Sequence, residues 1–372
     1  MKPSAPLALA LAPPQRAQEP VARGGSGQSR RTITVVGGGL AGLMLGIRLR
    51  QRGVPVVVLE AGRYPRHRVC GEFISGRGLG LLQSAGLLPA IEAAGGCWGR
   101  TAELHVNGRR VGVHELPAPA LCISRFVLDR LLAEKFVGLE GTLQCGRRWT
   151  GPPAEEAVVL AAGRSREAAA PGWRWYGLKA HVRELQLGAD LELHLGEHGY
   201  VGLCRLADSQ VNVCGLFRRR VAAEGRLATE FKARFCEQAG DGLGRRLAQA
   251  EWLRETQCSV AAVPLRSKMN ADIGCRVGDA MAVIPPFTGN GMSMAFESAE
   301  LAVEPLVAFA ESSVPWPDAC ATMGEAAKAR FAGRLRCSQL LQMAMFHCYL
   351  RRALAPFLSW TPVWRALFDS TR

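Results

Sequence analysis

The sequence predicts an α/β protein made of a Rossmann-type nucleotide-binding domain, a smaller antiparallel β-sheet domain and a C-terminal helical segment. Three observations carry that expectation. A β-branched run, Thr32–Val36, leads through Gly37, Gly39 and Gly42 into a helical pattern. Four strand-like runs between Trp173 and Phe217 are separated by Gly, Asp and Ser turns. The stretch Gly333–Phe368 is apolar with arginines interspersed and reads as amphipathic helices.

A chain of 372 residues exceeds the usual size of one hydrophobic core, so a main domain with a smaller companion is expected. Its 48% hydrophobic and 21% charged residues exclude a disordered or fibrous protein. The net charge of +14 suits an anionic ligand, an acidic membrane surface or nucleic acid. Arginines are spread along the chain, however, without a dense basic run or a nucleic-acid motif, and no nucleic-acid partner is expected. The twelve cysteines form no CxxC pair and no metal-binding spacing. They read as free thiols in a reducing cytoplasm, with no metal site, and only Cys70 has a context that argues for more than packing.

Residues 1–31 contain a short Ala/Leu run bracketed by Pro and followed by a Gly/Ser/Arg linker, so a flexible extension is expected rather than an export signal. Arg30–Arg31 precede a strand and a glycine loop, not the apolar segment of a twin-arginine signal. No apolar run is long enough for a membrane span.

In the glycine loop, Gly37 permits the tight turn and Gly39 leaves room for a pyrophosphate at the backbone. Gly42 lets the helix approach the strand, and Leu40 and Ala41 open that helix with free N–H groups toward the phosphates. A second strand, Val54–Leu59, ends in Glu60, whose carboxylate suits ribose hydroxyls and disfavours a 2′-phosphate. The loop is therefore expected to hold the adenosine half of FAD or NAD rather than NADP.

Near Cys275–Leu306 lies a second signal. A strand ends in Gly278-Asp279, Pro285-Pro286 follow, and a Gly-rich turn, Thr288–Gly291, opens a helix running to Leu306. That helix start aims positive dipole and N–H groups at a ligand that gains negative charge on reduction.

With both signals present, the sequence resembles the flavoprotein superfamily of p-hydroxybenzoate hydroxylase and geranylgeranyl reductase, over roughly Thr32–Leu306. The resemblance implies FAD as cofactor, with Asp279 at a ribityl hydroxyl and Gly289, Asn290, Gly291 and Met292 at the flavin. It also implies that Arg125, at the start of a helix after the short strand in Ala120–Phe136, approaches the phosphates. Arg68 joins the cofactor set through "RVCGEFIS", Arg68–Ser75, the counterpart of a Cys-Gly-Gly stretch near the isoalloxazine, where Cys70 is a candidate proton donor.

Departures from the family pattern matter as well. Where many hydroxylases of the superfamily carry Asp-Gly, this chain has Ala162-Gly163, which weakens the case for direct NADPH use. The reductant is expected to be NAD(P)H or a reduced electron-donor protein. In the run Gly199–Phe217, Tyr200, Asn212 and Val213 match the reductase pattern, but Gly202 replaces a tryptophan and Cys204-Arg205 replace Phe-Pro. Trp173-Arg174-Trp175 echoes a halogenase motif without the Ile-Pro that should follow.

Period two places Trp175, Gly177, Lys179 and His181 on one face of the first substrate-domain strand, a candidate cavity wall with Lys179 and His181 available for catalysis beside Cys70 and Tyr200. The domain boundaries follow: 1–31 extension; 32–172 first part of the FAD-binding domain, its hairpin near 102–114 assigned to the substrate domain; 173–264 substrate domain; 265–310 second FAD part; 311–372 C-terminal helices. The expected activity is FAD-dependent oxidoreduction of a hydrophobic small molecule of isoprenoid, quinone or polyketide type, as in secondary metabolism. Hydride transfer from reduced flavin to a double bond leads, with a monooxygenase and a noncatalytic flavin-binding protein as alternatives. The expected location is cytoplasmic, with Arg334, Arg336, Arg351, Arg352 and Arg365 beside Trp360 and Trp364 as a candidate peripheral membrane contact. The sequence leaves the oligomeric state open.

Overall fold

The computed structural model describes residues 30–164, 173–220, 232, 235, 240–261, 269 and 275–372. All but the last two residues of the expected 1–31 extension lie outside them, and Arg30 and Arg31 pair with Glu311 and Glu156. In chain order the first half holds β1 (Ile33–Val36), α1 (Leu40–Gln51), β2 (Val56–Glu60), β3 (Phe73–Ile74), α2 (Arg77–Ser84) and α3 (Leu88–Ala93). Then come β4 (Cys97–Val106), β5 (Arg109–Cys122), α4 (Arg125–Gly138), β6 (Thr142–Cys145) and β7 (Val158–Leu160). The second half holds β8 (Trp173–Arg183), β9 (Leu191–Gly196), β10 (Gly199–Arg205), β11 (Val211–Arg220), α5 (Gly240–Gln249), β12 (Glu251–Val260) and β13 (Cys275–Arg276). Four helices are then α6 (Gly291–Ala310), α7 (Trp316–Phe346), α8 (Cys348–Leu358) and α9 (Thr361–Ser370).

The short apolar strands β1 and β2, with no polar face, suit a sheet covered on both sides. They belong to a five-stranded parallel sheet of order β13-β7-β1-β2-β6. Helix α1 is buried through Leu49 and carries Arg48 and Arg50 in its last turn, where the helix dipole favours cations. With α4 and α6 it packs the main core against this sheet, where Leu43, Met44, Ile47, Phe136, Phe296 and Phe309 are almost wholly excluded from water. Each such side chain contributes on the order of 1.5–3 kcal/mol of transfer free energy.

The second sheet has eight strands in the order β12-β8-β11-β10-β9-β4-β5-β3. The expected antiparallel pairing holds throughout except between β4 and β9, which run parallel. There the long β4–β5 hairpin, contributed by the first half of the chain, joins the edge of the later meander. One face of the sheet packs Leu178, Val213 and Phe217 with Leu247 of α5. The other presents Leu104, Leu195, Tyr200 and Leu216 toward Met345 and Leu358 of the C-terminal helices.

One expectation is corrected. The cysteines are not all free thiols, because Cys275 of β13 and Cys320 in α7 are disulfide-bonded. The pairing depends on α7 packing beside the edge strand β13, a contact between segments 45 residues apart. Among the described residues the other nine cysteines are free.

The long helix α7 is fastened to α6 by a buried cluster. Glu297 accepts hydrogen bonds from Arg330 at 2.7 and 2.8 Å and from Arg334 at 2.8 and 3.0 Å. Removing the carboxylate strands the Arg334 guanidinium inside protein. Glu297→Ala is therefore expected to lower stability by about 3–5 kcal/mol, read from urea unfolding. A loss below about 1 kcal/mol, the size of a surface pair, would contradict this assignment.

Candidate functional site

A cavity of about 1320 Å³ lies between the two sheets, bounded by the ends of β1, β2 and β7, the β8–β11 meander and the last helices. Its construction begins at the glycine loop. Gly37 takes φ +109°, and a Cβ there would lie 2.4 Å from the Ala161 carbonyl oxygen. A Cβ on Gly42 would lie 1.9 Å from the Gly37 carbonyl, so α1 comes close to the loop only because that atom is missing. Gly39, by contrast, faces open space and serves as the N-cap of α1 without any side-chain capping bond. No acidic residue occupies that first turn either, so its N–H groups and dipole remain for an anion.

Next to this loop, Glu60 accepts hydrogen bonds from the backbone N–H groups of Gly38 at 2.9 Å and Gly62 at 2.7 Å, and pairs with Arg66 at 2.8 Å. Burial alone would raise its pKa, but the Gly62 N–H and Arg66 hold the carboxyl below its ordinary value. Glu60 Oε2, which takes only the Gly38 N–H, keeps a lone pair for a ribose hydroxyl. Arg147, Arg148 and Trp149 also line this end. Deeper in, the Nε atoms of Arg66 and Arg68 are buried without a partner. Burial pushes the Arg68 guanidinium down, as do its neighbours Arg66 and Arg125. A diphosphate would satisfy those donors and relieve that crowding.

Arg125 is pinned by a bidentate pair with the fully buried Asp129, at 2.7 and 2.9 Å, while still lining the cavity. Asp279 opens onto the same space, where the surrounding protein pushes its carboxyl up against the opposing pull of Arg125 and Arg164. Arg164 immediately follows Ala162-Gly163, both of which line the wall.

At the far end, Gly289 adopts φ +63° and Gly291 begins α6, again with no side-chain cap and no acid in the first turn. Asn290 is buried, its Oδ1 has no partner, and its Nδ2 donates to the Thr371 carbonyl. Thr371 and Arg372 close this end, with Arg372 Nε donating to Ser75 Oγ at 2.7 Å. Burial, and secondarily Arg334, push the Arg372 guanidinium down to about 9.

Behind the wall stands a charge cluster that centres on Glu72, a fully buried residue at φ +59°. One carboxylate oxygen lies 2.6 Å from His181 Nε2; the other lies 3.0 Å from Lys179 Nζ and accepts the Arg125 N–H at 2.9 Å. Burial opposes ionisation, yet His181 and Lys179 keep the carboxyl below its ordinary value. Lys179 also donates to His67 Nδ1 at 3.1 Å, and His67 stacks on Phe126. Burial, with Lys179 and His181 nearby, pushes His67 down to about 4. The cluster braces the Cys70 turn, whose carbonyl accepts from Asn212 Nδ2 at 3.0 Å. Burial pushes the Cys70 thiol and the Tyr200 phenol up, so both stay protonated while lining the cavity.

The glycine loop residues Gly37, Gly39, Leu40 and Ala41 thus meet Glu60, Arg68, Arg125, Asp279, Gly289, Gly291, Met292, Cys70 and Tyr200 around one space. Gly42 and Asn290 act one layer back, through close packing and a hydrogen bond. Lys179 and His181 share the predicted face, but they are spent on Glu72 and do not reach the cavity. Sequence reasoning missed Glu72 and His67, although both lie within or beside the "RVCGEFIS" stretch and one more acid amid apolar residues was the available signal. A separate group, His105, Glu192 and His194, is compact enough to consider for a metal. Arg246 already holds both oxygens of Glu192 at 3.0 and 3.1 Å, so it is an ion-pair network.

Residues 30–170 match the family model of the FAD binding domain. No curated protein matches the chain. Among solved structures, the flavin-dependent brominase Bmp2 superposes with TM-score 0.70 at 15% identity, covering 91% of this chain and 92% of its own. p-Nitrophenol 4-monooxygenase PnpA from Pseudomonas putida gives 0.71 at 14%, covering 91% and 98%. PqsL of Pseudomonas aeruginosa, solved with 2-aminobenzoylacetate, gives 0.64 at 20%, covering 91% and 100%. The chain carries an FAD-binding domain, and the fold is that of these flavoproteins. The uncapped starts of α1 and α6, the orphaned arginine donors and Glu60 fit that cofactor.

The depressed His67 gives a pH signature. Between about 4 and its unfolded value near 6.5, the unfolded chain binds the extra proton, so stability falls as the pH drops through that window. In His67→Asn this part of the fall should vanish, leaving losses at lower pH from the depressed carboxylates Glu60 and Glu72. Urea midpoints taken through the window check it; an unchanged slope in the variant would contradict it.

Proposed function

We propose that this chain, an FAD-dependent oxidoreductase of the p-hydroxybenzoate hydroxylase superfamily, is a monooxygenase of a hydrophobic small molecule. One observation carries the reading. The cavity that begins at the uncapped start of α6 continues directly onto an apolar wall of Leu104, Leu193, Leu195, Leu216 and Phe287. Lys179 and His181, the basic side chains of this strand face, are both turned onto Glu72 behind it. An isoprenoid, quinone or polyketide suits such a wall, which also keeps water away from the reacting groups.

Bound FAD would supply two-electron chemistry, in reduced form toward oxygen or toward a substrate double bond. The chain's own residues do the rest. Glu60 and the start of α1 hold the adenosine and diphosphate, and Asp279 takes a hydroxyl of the linking chain. The N–H groups at the start of α6 favour the negative charge that accumulates on the ring's pyrimidine edge. Tyr200, protonated, can donate a hydrogen bond to a substrate oxygen. The names of PnpA and Bmp2, a monooxygenase and a brominase, support oxygen chemistry on this fold.

A reductase is the second reading, favoured by the neutral Cys70 thiol at the cavity wall as a proton donor. Reduced protein given ¹⁸O₂ and a panel of phenols, quinones and prenyl compounds distinguishes the two. A monooxygenase places one labelled atom in the product and the other in water. An unlabelled product with two added hydrogens would overturn the proposal in favour of the reductase. Running the reduction with NADPH and with dithionite also tests whether Ala162, in place of an acid, obliges a separate electron donor.

A further inference from the structure

The outer face of the C-terminal helices has no partner among the described residues. Nine large hydrophobic side chains are exposed among the described residues, and six of them fall between Leu340 and Trp360. Leu340, Met343, Tyr349, Leu350, Phe357 and Trp360 are 48–74% exposed. On α7 the exposed positions Arg336, Leu340 and Met343 recur at helical spacing and form one stripe, with His347 exposed just past its end. Helix α8 exposes Tyr349, Arg352 and Phe357, and α9 exposes Arg365.

Charge identifies the occupant. Residues 333–372 contain six arginines and a single acid, Asp369. Arg372 is held at the cavity by Ser75; Arg334 is committed to Glu297 and Arg351 to the Gly196 carbonyl, and Trp364 turns inward to stack on His114. Arg334, Arg351 and Trp364 drop out of the membrane face drawn from sequence. Arg336, Arg352 and Arg365 remain exposed around the apolar stripe. Apolar side chains ringed by arginines, on helices lying along a surface, match a bilayer interface with anionic headgroups. A second protein copy would offer this patch one acid, Asp369, against three exposed guanidiniums. No described helix is long and apolar enough to cross a membrane, which leaves surface attachment.

We propose that the outer face of α7–α9 docks on an anionic lipid bilayer. The same helices present Leu341, Met345, Leu358, Leu367 and Phe368 to the cavity, so docking sets the cavity's helical wall against the lipid. This inference stands apart from the redox reading, because vesicle binding requires no turnover.

Flotation of the full chain with phosphatidylcholine vesicles, with and without phosphatidylserine, is the test. Binding is expected with phosphatidylserine and should weaken at least about tenfold in high salt, as exposed ion pairing is screened. Phe357→Ser with Trp360→Ser should lose binding by about tenfold or more while keeping the unfolding midpoint and the bound flavin's spectrum, since both side chains are exposed. Arg352→Glu with Arg365→Glu should lose the preference for phosphatidylserine. Absence of vesicle binding overturns the proposal. So does a concentration-dependent dimer, seen in sedimentation, that the Phe357/Trp360 variant converts to monomer without affecting flotation.

Discussion

Helices α1 and α6 both begin at one cavity without a capping side chain or an acid in the first turn, and the rest of the site is arranged around that fact. Helix termini carry orphan N–H groups and the positive end of a dipole, and most proteins satisfy them with Ser, Thr, Asp or Asn. Here α1 starts at Gly39 and α6 after Asn290, whose amide is turned away to the Thr371 carbonyl. Both starts are left to a ligand. A molecule with a diphosphate at one point and a charge-accumulating ring at another would answer both.

Holding those starts in place takes covalent economy at the loop and charge at the turn opposite it. Gly37 and Gly42 let the α1 backbone approach β1 and β7 where any side chain would collide. Across the cavity lies the Cys70 turn, whose carbonyl accepts from Asn212 Nδ2. Glu72 fixes it from behind by collecting His181, Lys179 and the start of α4 around one buried carboxylate. Burying the Glu72 carboxylate costs desolvation, which Lys179, His181 and the Arg125 N–H offset. Lys179 and His181 of β8 are held there, and the cavity wall beside them is formed by Leu104, Leu193, Leu195, Leu216 and Phe287.

Local patterns were legible in the sequence, and long-range pairings were not. The glycine spacing, the strand ending in Glu60 and the turn before α6 are each contained in a few consecutive residues, and their chemistry follows from spacing alone. Period two put Lys179 and His181 on the correct face of β8, but their depth depends on Glu72, 109 residues from His181. Nor could spacing reveal the parallel β4–β9 pairing or the Cys275–Cys320 bond, which arise when distant segments dock. The arginines of the last helices looked equivalent in sequence; only the position of Glu297 and the Gly196 carbonyl divides the buried ones from the exposed.

The most direct measurement is a crystal structure of the protein with FAD bound. The account predicts the ring's pyrimidine edge within about 2.7–3.2 Å of a backbone N–H at Gly291 or Met292, with a ribose hydroxyl on Glu60. The opposite end of the ring would face the wall that carries Tyr200 and Leu216. A flavin whose ring lies away from the start of α6, or whose ribose leaves Glu60 untouched, would contradict the assignment on which the functional reading depends.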